Sequence, residues 1–466
     1  MNMHIPLGVI GAILLTGAWP ASAAPLPTAS PPPEQADTTA DEQAPEFQQM
    51  LIYVYQQSPR LQSARQSLKV QDEHVSEAVA GYRPTLNASG DIGRQREATG
   101  SQDWIYGTAR DESLVANQTL FNGFGTAEQF HAARARVSAE RAHLTAVEEQ
   151  VFFDAISAYL DVVTRKYVLQ FNRDNETHLR AYADAADKRL KAGDGTRTDL
   201  AQAESRVSQA DANVASAEAA WEAAMATYQR VTGLQNGIME FPPLPGGLPG
   251  SSEEAAALAQ QAPELTEAAE QERAAKHDIE AASSSLWPTV SVRGSMSDQL
   301  SPTLGLENLR DDSITLNVSI PLYQGGGDYA RVREARELRE KAHDDWSDTS
   351  RFLTERANTA WYNYHAASRI IDASRRMAEA AHRALAGVEA EQQQGVRTMQ
   401  DTLDARAEFL NSLIAEVQAE ENARLQAYRL LAATGQLTAA SLHLETPLYD
   451  PRKHYDRVEN AWAGLK

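Results

Sequence analysis

Two regions of the chain alternate between apolar and polar side chains, and each runs through a glycine turn into a long stretch of helical character. In Thr85-Leu86-Asn87-Ala88-Ser89-Gly90-Asp91-Ile92 the even positions are apolar or small and the odd ones polar. The pattern returns at Val290 and Val292 against Ser291 and Arg293, and is cleanest from Ser313 to Ile320. Ser113 to Phe121 is the noisiest of the four, with Val115 on the polar side and Gln118 on the apolar one. Period-two alternation sets one face of a strand in an apolar medium and the other in water. Strands of about ten residues also match the length that crosses a bilayer. Pro84 and Pro288 stand where strands start, a position that tolerates a missing donor.

After Asn122-Gly123-Phe124-Gly125 and after Gly325-Gly326-Gly327 the pattern changes. No proline interrupts the chain between Pro84 and Pro242, or between Pro321 and Pro447. Thr126 to Lys191 is rich in Ala, Glu, Arg and Leu, which predicts one helix of about 100 Å at ~1.5 Å per residue. Val151, Ala155, Ala158 and Val162 form one apolar stripe. Leu403, Ala407, Leu410, Ile414 and Val417 form another, with coiled-coil spacing.

The chain states this plan twice. Leu322 of Pro321-Leu322-Tyr323-Gln324-Gly325 lies 202 residues after Leu120 of Thr119-Leu120-Phe121-Asn122-Gly123. The same offset carries Ala158-Tyr159 onto Ala360-Trp361, Asp199-Leu200 onto Asp401-Thr402, and Thr232-Gly233 onto Thr434-Gly435. That period is far longer than a solenoid repeat, so it reads as a duplicated domain. The expected division is a signal peptide at 1–23, a disordered Pro-rich leader at 24–45, a first repeat at 46–250, a second at 251–437 and a tail at 438–466. Four strands cannot close a barrel, which needs about eight, and lipid tolerates no open sheet edge. If the strands cross a membrane, the chain must self-associate.

Composition narrows the class. Leu7 to Leu15 is a short apolar core and Ala21-Ser22-Ala23 a small-x-small cleavage pattern, although the preceding residues lack Lys or Arg; export is expected. Beyond it no stretch nears the ~20 apolar residues of a spanning helix. A net charge of −21 argues against a nucleic-acid partner, and the absence of cysteine removes disulfides, thiolate metal sites and a lipidated N-terminal cysteine.

With both glycine turns, both long helices and both helix–helix turns in place, the sequence from Glu46 onward closely resembles the TolC family of outer-membrane channels. The resemblance implies a mainly α fold with a β-barrel part. Long antiparallel coiled coils form a periplasmic tunnel, and three protomers of four transmembrane strands close a twelve-stranded barrel. The helix–helix turns, Ala192 to Leu200 and Gly395 to Ala405, would meet at the narrow inner end, the second with two extra residues between Thr398 and Asp401. Two family aspartates that line the constriction match Asp401 and Asp404. Three residues apart, they share a helix face, so three copies would stack two carboxylate rings that favour cations and raise one another's pKa. Asp401 is also placed to favour a helix N-terminus by itself. The family's closed-state links match Arg397 with Thr198 and Asp199, and Gln392 stands where a tyrosine is usual. The ending from Tyr449 to Asp456, with Trp462, looks like that of the type I secretion branch. The implied partners are two further copies, outer-membrane lipid, a periplasmic adaptor (membrane-fusion) protein and an inner-membrane ABC transporter. No cofactor is implied.

Two other channel-free or channel-like readings compete: a soluble periplasmic coiled-coil adaptor, and a small-molecule or metal efflux duct of the same fold. An enzyme is disfavoured. The histidines show no His-Glu-x-x-His spacing, Gly325-Gly326-Gly327 lacks the Lys-Ser/Thr of a phosphate loop, and no Gly-x-Ser-x-Gly elbow occurs.

Overall fold

A computed structural model describes residues 47–98, 103–235, 240–300 and 307–464. The expected signal peptide and leader lie outside them. In chain order the elements are α1 (Phe47–Gln57), α2 (Pro59–Ala80), β1 (Thr85–Glu97), β2 (Ile105–Asn122), α3 (Gly125–Ala192) and α4 (Arg197–Thr232). They continue with α5 (Ser252–Ala259), α6 (Pro263–Ser283), β3 (Thr289–Leu300), β4 (Asn308–Ser319), α7 (Gly327–Gln393), α8 (Met399–Ala433) and the short α9 (Tyr455–Val458). None of the described helices is long and apolar enough to cross a membrane.

The strands form one antiparallel sheet in the order β1-β2-β3-β4. Directly paired residues share a face, so the register sorts the side chains. Leu86 pairs with Ala116, Ala88 with Leu114, Leu114 with Met296, Gly294 with Ile314 and Val292 with Leu316. The alternation read from sequence therefore converges on one apolar face, and that face is bare in the protomer: Ile314 is 84% and Leu316 64% exposed. The opposite face is polar, with Ser89 bonded to Ser113 at 2.7 Å and Ser295 to Ser313 at 2.8 Å. Between Leu86 and Ile92, or Ile314 and Ile320, the apolar run covers roughly 20–24 Å along the strand at 3.3–3.4 Å per residue. On the neighbouring strands Arg110, Glu112, Asp298, Arg310 and Asp312 occupy the same face, level with the Ala88–Ile92 end of the β1 run.

Two strand details depart from expectation. The strands outrun the ten residues or so read from the alternation: β1 runs on to Glu97, β2 begins at Ile105, and β3 and β4 reach Leu300 and Asn308. The register of β2 shifts between Thr119 and Phe121. The bulge at Leu120 inserts one residue and returns Phe121 opposite Val290. Just before it, Gln118 turns its amide to the carbonyls of Tyr82 and Thr119, which satisfies a polar side chain on the apolar phase.

The strand-to-helix turn needs Gly123. Its φ is +65°, and a Cβ there would lie 2.5 Å from Trp287 Cβ and 2.8 Å from the Ser284 carbonyl oxygen. From it α3 runs 68 residues and α7, in the second half, 67. Each pairs with the shorter helix that follows it, and α6 fills the space between α3 and α7. On α4 the buried alanines Ala203, Ala210, Ala217 and Ala224 recur every seven residues, a heptad seam that lets the backbones approach closely. The α3 stripe Val151, Ala155, Ala158 and Val162 is buried; on α8, Leu403 and Val417 are buried and the three residues between them half-buried. The main core gathers α1, α2 and the middle of α3 around Phe152, Ile156 and Leu160, closed by Leu437 and Leu444 after α8.

Candidate functional site at the helix tips

Both helix–helix turns use the same device. Gly193 (φ +83°) and Gly395 (φ +75°) end α3 and α7 in the left-handed conformation that helix C-termini favour. Three residues beyond each glycine the chain enters the next helix through a threonine cap. Thr196 Oγ1 accepts from the Asp199 amide at 3.1 Å, and the Asp199 carboxylate accepts from the Thr196 amide at 3.3 Å and its hydroxyl at 2.8 Å. At the second tip Thr398 Oγ1 accepts from the Asp401 amide at 3.2 Å, and Asp401 accepts from the Thr398 amide at 2.9 Å and its hydroxyl at 2.8 Å. These are capping boxes, which satisfy otherwise orphaned helix N–H groups.

Thr196 thus corresponds to Thr398 and Asp199 to Asp401, at the unbroken offset of 202. The two extra residues expected between Thr398 and Asp401 do not exist. Matching Thr398 to Thr198 had taken an exposed residue in the first turn of α4 for its cap.

The candidate residues separate accordingly. Asp401 is committed to its cap, and the backbone amide of Thr398, then its hydroxyl, then Arg397 hold its carboxyl below the usual range. Within one protomer this shift runs opposite to that of a crowded carboxylate ring. Asp404, one turn on, faces α4: its Oδ1 accepts from Arg206 Nη2 at 2.8 Å, and Gln400 Nε2 lies 2.9 Å from both oxygens. Arg397 bonds Glu391 across its own turn at 2.9 Å, and the single chain does not bring it onto Thr198 or Asp199. Gln392 is half-buried at the end of α7.

Two cross-coil links were missed from sequence. Arg206 joins α4 to α8 through Asp404. Tyr182 joins α3 to α7, donating to Glu389 Oε1 at 2.5 Å, and burial followed by that carboxylate pushes its hydroxyl up to about 12. Between them lies a small apolar contact of Leu179, Ala210 and Leu403. A signal existed: Tyr182 follows buried Leu179, and Arg206 follows buried Ala203, by three residues, the flanking positions from which coiled coils make polar links. Removing the second cap by Thr398→Ala is expected to cost about 1 kcal/mol locally. Amide exchange at the start of α8 should then rise several-fold, while the first tip stays as it was.

Comparison with known proteins decides the class. The sequence profile of the outer membrane efflux protein family matches residues 53–234 and again 256–436. The chain belongs to the outer membrane efflux protein family. It is 33% identical over 419 residues to the outer membrane efflux protein BepC of Brucella suis, covering 89% of this chain and 91% of that one. It is 24% identical over 333 residues to the alkaline protease secretion protein AprF of Pseudomonas aeruginosa, covering 67% and 66%. The outer membrane channel CmeC of Campylobacter jejuni superimposes with a TM-score of 0.76 over 88% of each chain, at 14% identity. The expected fold class holds: a mainly α chain of antiparallel coiled coils carrying four barrel strands, the protomer of the family's trimeric twelve-stranded channels. This family member resides in the outer membrane, with its long helices in the periplasm. Family and fold are those of channel proteins.

Proposed function

We propose that this chain is one third of a passive outer-membrane exit duct for type I protein secretion, gated where the helix tips converge. The observation that carries the duct is the four-stranded sheet, with a bare apolar face and unpaired edges on β1 and β4. Such a sheet is stable in lipid only when copies close it edge to edge. The α7 side chains Leu338, Phe352, Tyr362, Ile370 and Met377 are also exposed in the protomer and suit burial against a neighbouring copy. On this reading residues 46–250 and 251–437 are the two halves of a duplicated unit, preceded by a removed signal and a leader.

The secretion branch draws on the tail and on the similarity to AprF, an alkaline protease secretion protein. The partners are then a periplasmic adaptor and an inner-membrane ABC transporter, which selects the cargo. The higher identity to BepC favours a second reading, the outer-membrane part of an efflux pump.

In this gate Asp404 and Asp401 from three copies line the constriction, and Arg397 reaches the neighbour's Thr198 and Asp199 from beside Gln392. Arg206 tempers the Asp404 ring by pairing with it, and Tyr182–Glu389 holds each protomer's coils together. Opening separates these polar links, a two-state movement driven by the partner complex. Conductance in planar bilayers tests it. The wild type should pass a small cation-selective current, and Asp401→Asn/Asp404→Asn, which keeps hydrogen-bonding side chains, should lose the selectivity. Arg206→Gln should move the other way, with higher cation selectivity from an unpaired Asp404. Unchanged selectivity in both variants rejects the site; a detergent-free monomer without conductance rejects the duct. Deleting the gene and measuring exported protein against drug susceptibility separates secretion from efflux.

A further inference from the structure

At the foot of the sheet the exposed aromatic side chains gather at one level. On the helix side the even-numbered apolar set of the strands ends at Leu86, Leu120, Val290 and Ile320. Three or four residues further on stand Tyr82, Phe124, Trp287 and Tyr323, all exposed in the protomer. Phe124 keeps its place at a φ of +67°, a conformation that costs a bulky side chain backbone strain. Aromatic rings just past an apolar belt suit the headgroup layer of a bilayer, where an apolar body and a polar edge are both satisfied. Edge-to-edge closure of copies does not explain this collar, because Phe124 and Trp287 adjoin the inner strands β2 and β3.

A fifth ring reaches the same level from the other end of the chain. His454 bonds Asp72 of α2 at 3.0 Å, and Val458 of α9 is buried. The Ala461 carbonyl then accepts from Arg83 Nη1. Asp72 lies eight residues before the end of α2 and Arg83 three beyond it. From His454 to Ala461 the tail therefore climbs at least about 12 Å toward the sheet, at ~1.5 Å per residue of helix. There Arg83 also lies over the Trp462 ring, 4.8 Å from its centroid, a cation–π contact. Arg83 follows Tyr82 directly and stands two residues before Thr85, the start of β1. One guanidinium thus fixes the level of Trp462, while the residue stays 74% exposed in the protomer. A ring that served only to pin the tail would be packed; this one is positioned and left bare.

We propose that the C-terminal tail is a strap whose Trp462 seats in the phospholipid headgroup layer at the periplasmic face of the outer membrane. The strap ties the helical body, through α2, to the bilayer. Lipid fits because the ring continues the collar and Arg83 beside it suits headgroup phosphates. A neighbouring copy is the competing occupant, since β1 is an edge strand, but the collar also runs past the inner strands. The inference rests on the lipid face of the sheet, so a label on that face is measured alongside.

The chain has no cysteine, so a nitroxide attaches only at an introduced one. The full-length protein in nanodiscs of phosphatidylethanolamine and phosphatidylglycerol carries the label at Ala463→Cys. Leu86→Cys is the lipid reference, and Leu448→Cys, exposed lower in the tail, the aqueous one. Collision with oxygen relative to a water-soluble nickel chelate reports depth. The ratio at Ala463→Cys should stand several-fold above that at Leu448→Cys and below that at Leu86→Cys. Adding Trp462→Ser should return it to the aqueous value. Trp462 and Ala463 are exposed beyond α9, so these variants should fold normally. A fully aqueous ratio at Ala463→Cys, or no effect of Trp462→Ser, overturns the strap. So does shielding from both reagents, the result expected from a neighbouring copy. Loss of lipid contact at Leu86→Cys as well would reject the lipid face itself, and the strap with it.

Discussion

Leu316→Arg is expected to abolish assembly of the channel in the outer membrane. Leu316 lies on the apolar face opposite Val292, inside the run from Ile314 to Ile320, and is exposed there in the protomer. Arginine near the middle of a barrel's lipid face costs about 2–4 kcal/mol per copy, and three copies would each carry it. The sum approaches the whole stability of an ordinary folded domain, about 5–15 kcal/mol. Asn317→Arg, one residue away on the polar face, should be tolerated, since its direct partner there is the uncharged Ser291 and the same face already carries Arg293. Membrane fractionation and resistance of the oligomer to detergent separate the two. Equal assembly of both variants would contradict the assignment of faces.

Stability should also fall as pH rises from about 4.5 to 8, and Glu149→Gln should remove much of the fall. Glu149 sits on α3 with 3% exposure, where α6, α7 and the segment after α8 meet. Burial is the main force that pushes its carboxyl up to about 8; Glu264 adds to it, while Arg356 and the Leu437 amide oppose it. Arg356 is itself engaged by Glu264 at 2.8 Å, so one cation serves two carboxylates. Below pH ~4.5 folded and unfolded chains both hold the proton. Between there and about 8 only the folded chain does, so each step upward favours unfolding until the folded group ionises too. At ~1.4 kcal/mol per pKa unit the full shift would correspond to about 4–5 kcal/mol; sharing of Arg356 and local relaxation reduce the expected change to about 2–3 kcal/mol. Apparent thermal midpoints at pH 5, 6.5 and 8.5 should converge for Glu149→Gln. A residual slope is expected from Glu148, also raised by burial, and parallel slopes for both proteins would refute the assignment.

The gate shows how a residue's type can be legible while its service is not. Asp401 and Asp404 were paired by the family resemblance, and their three-residue spacing put both on one helix face. In the fold Asp401 closes the cap of α8, and Asp404 turns to an arginine 198 residues earlier in the chain. A capping box is local enough to find in Thr398-Met399-Gln400-Asp401, and Thr196-Arg197-Thr198-Asp199 repeats it. Likeness of turn sequences misaligned the two by favouring Thr198; the constant offset of 202 would have aligned them.

By itself the sequence determined the elements whose cause is local or periodic. Proline-free runs of good helix formers marked both long helices, α3 to within a residue of its observed ends, and alternation marked four strands and the face each presents to lipid. Gly193 ends α3 through a positive φ that needs no partner, whereas Gly123 also answers to Trp287 and Ser284 of the second half. Only the tertiary structure decided what depends on distant segments meeting. The bulge at Leu120 answers to the register of β3. Arg206 finds Asp404, and Tyr182 finds Glu389, because two coils lie side by side. Glu149 keeps its proton because packing sealed it from water, and desolvation is a property of the surroundings that no local pattern encodes.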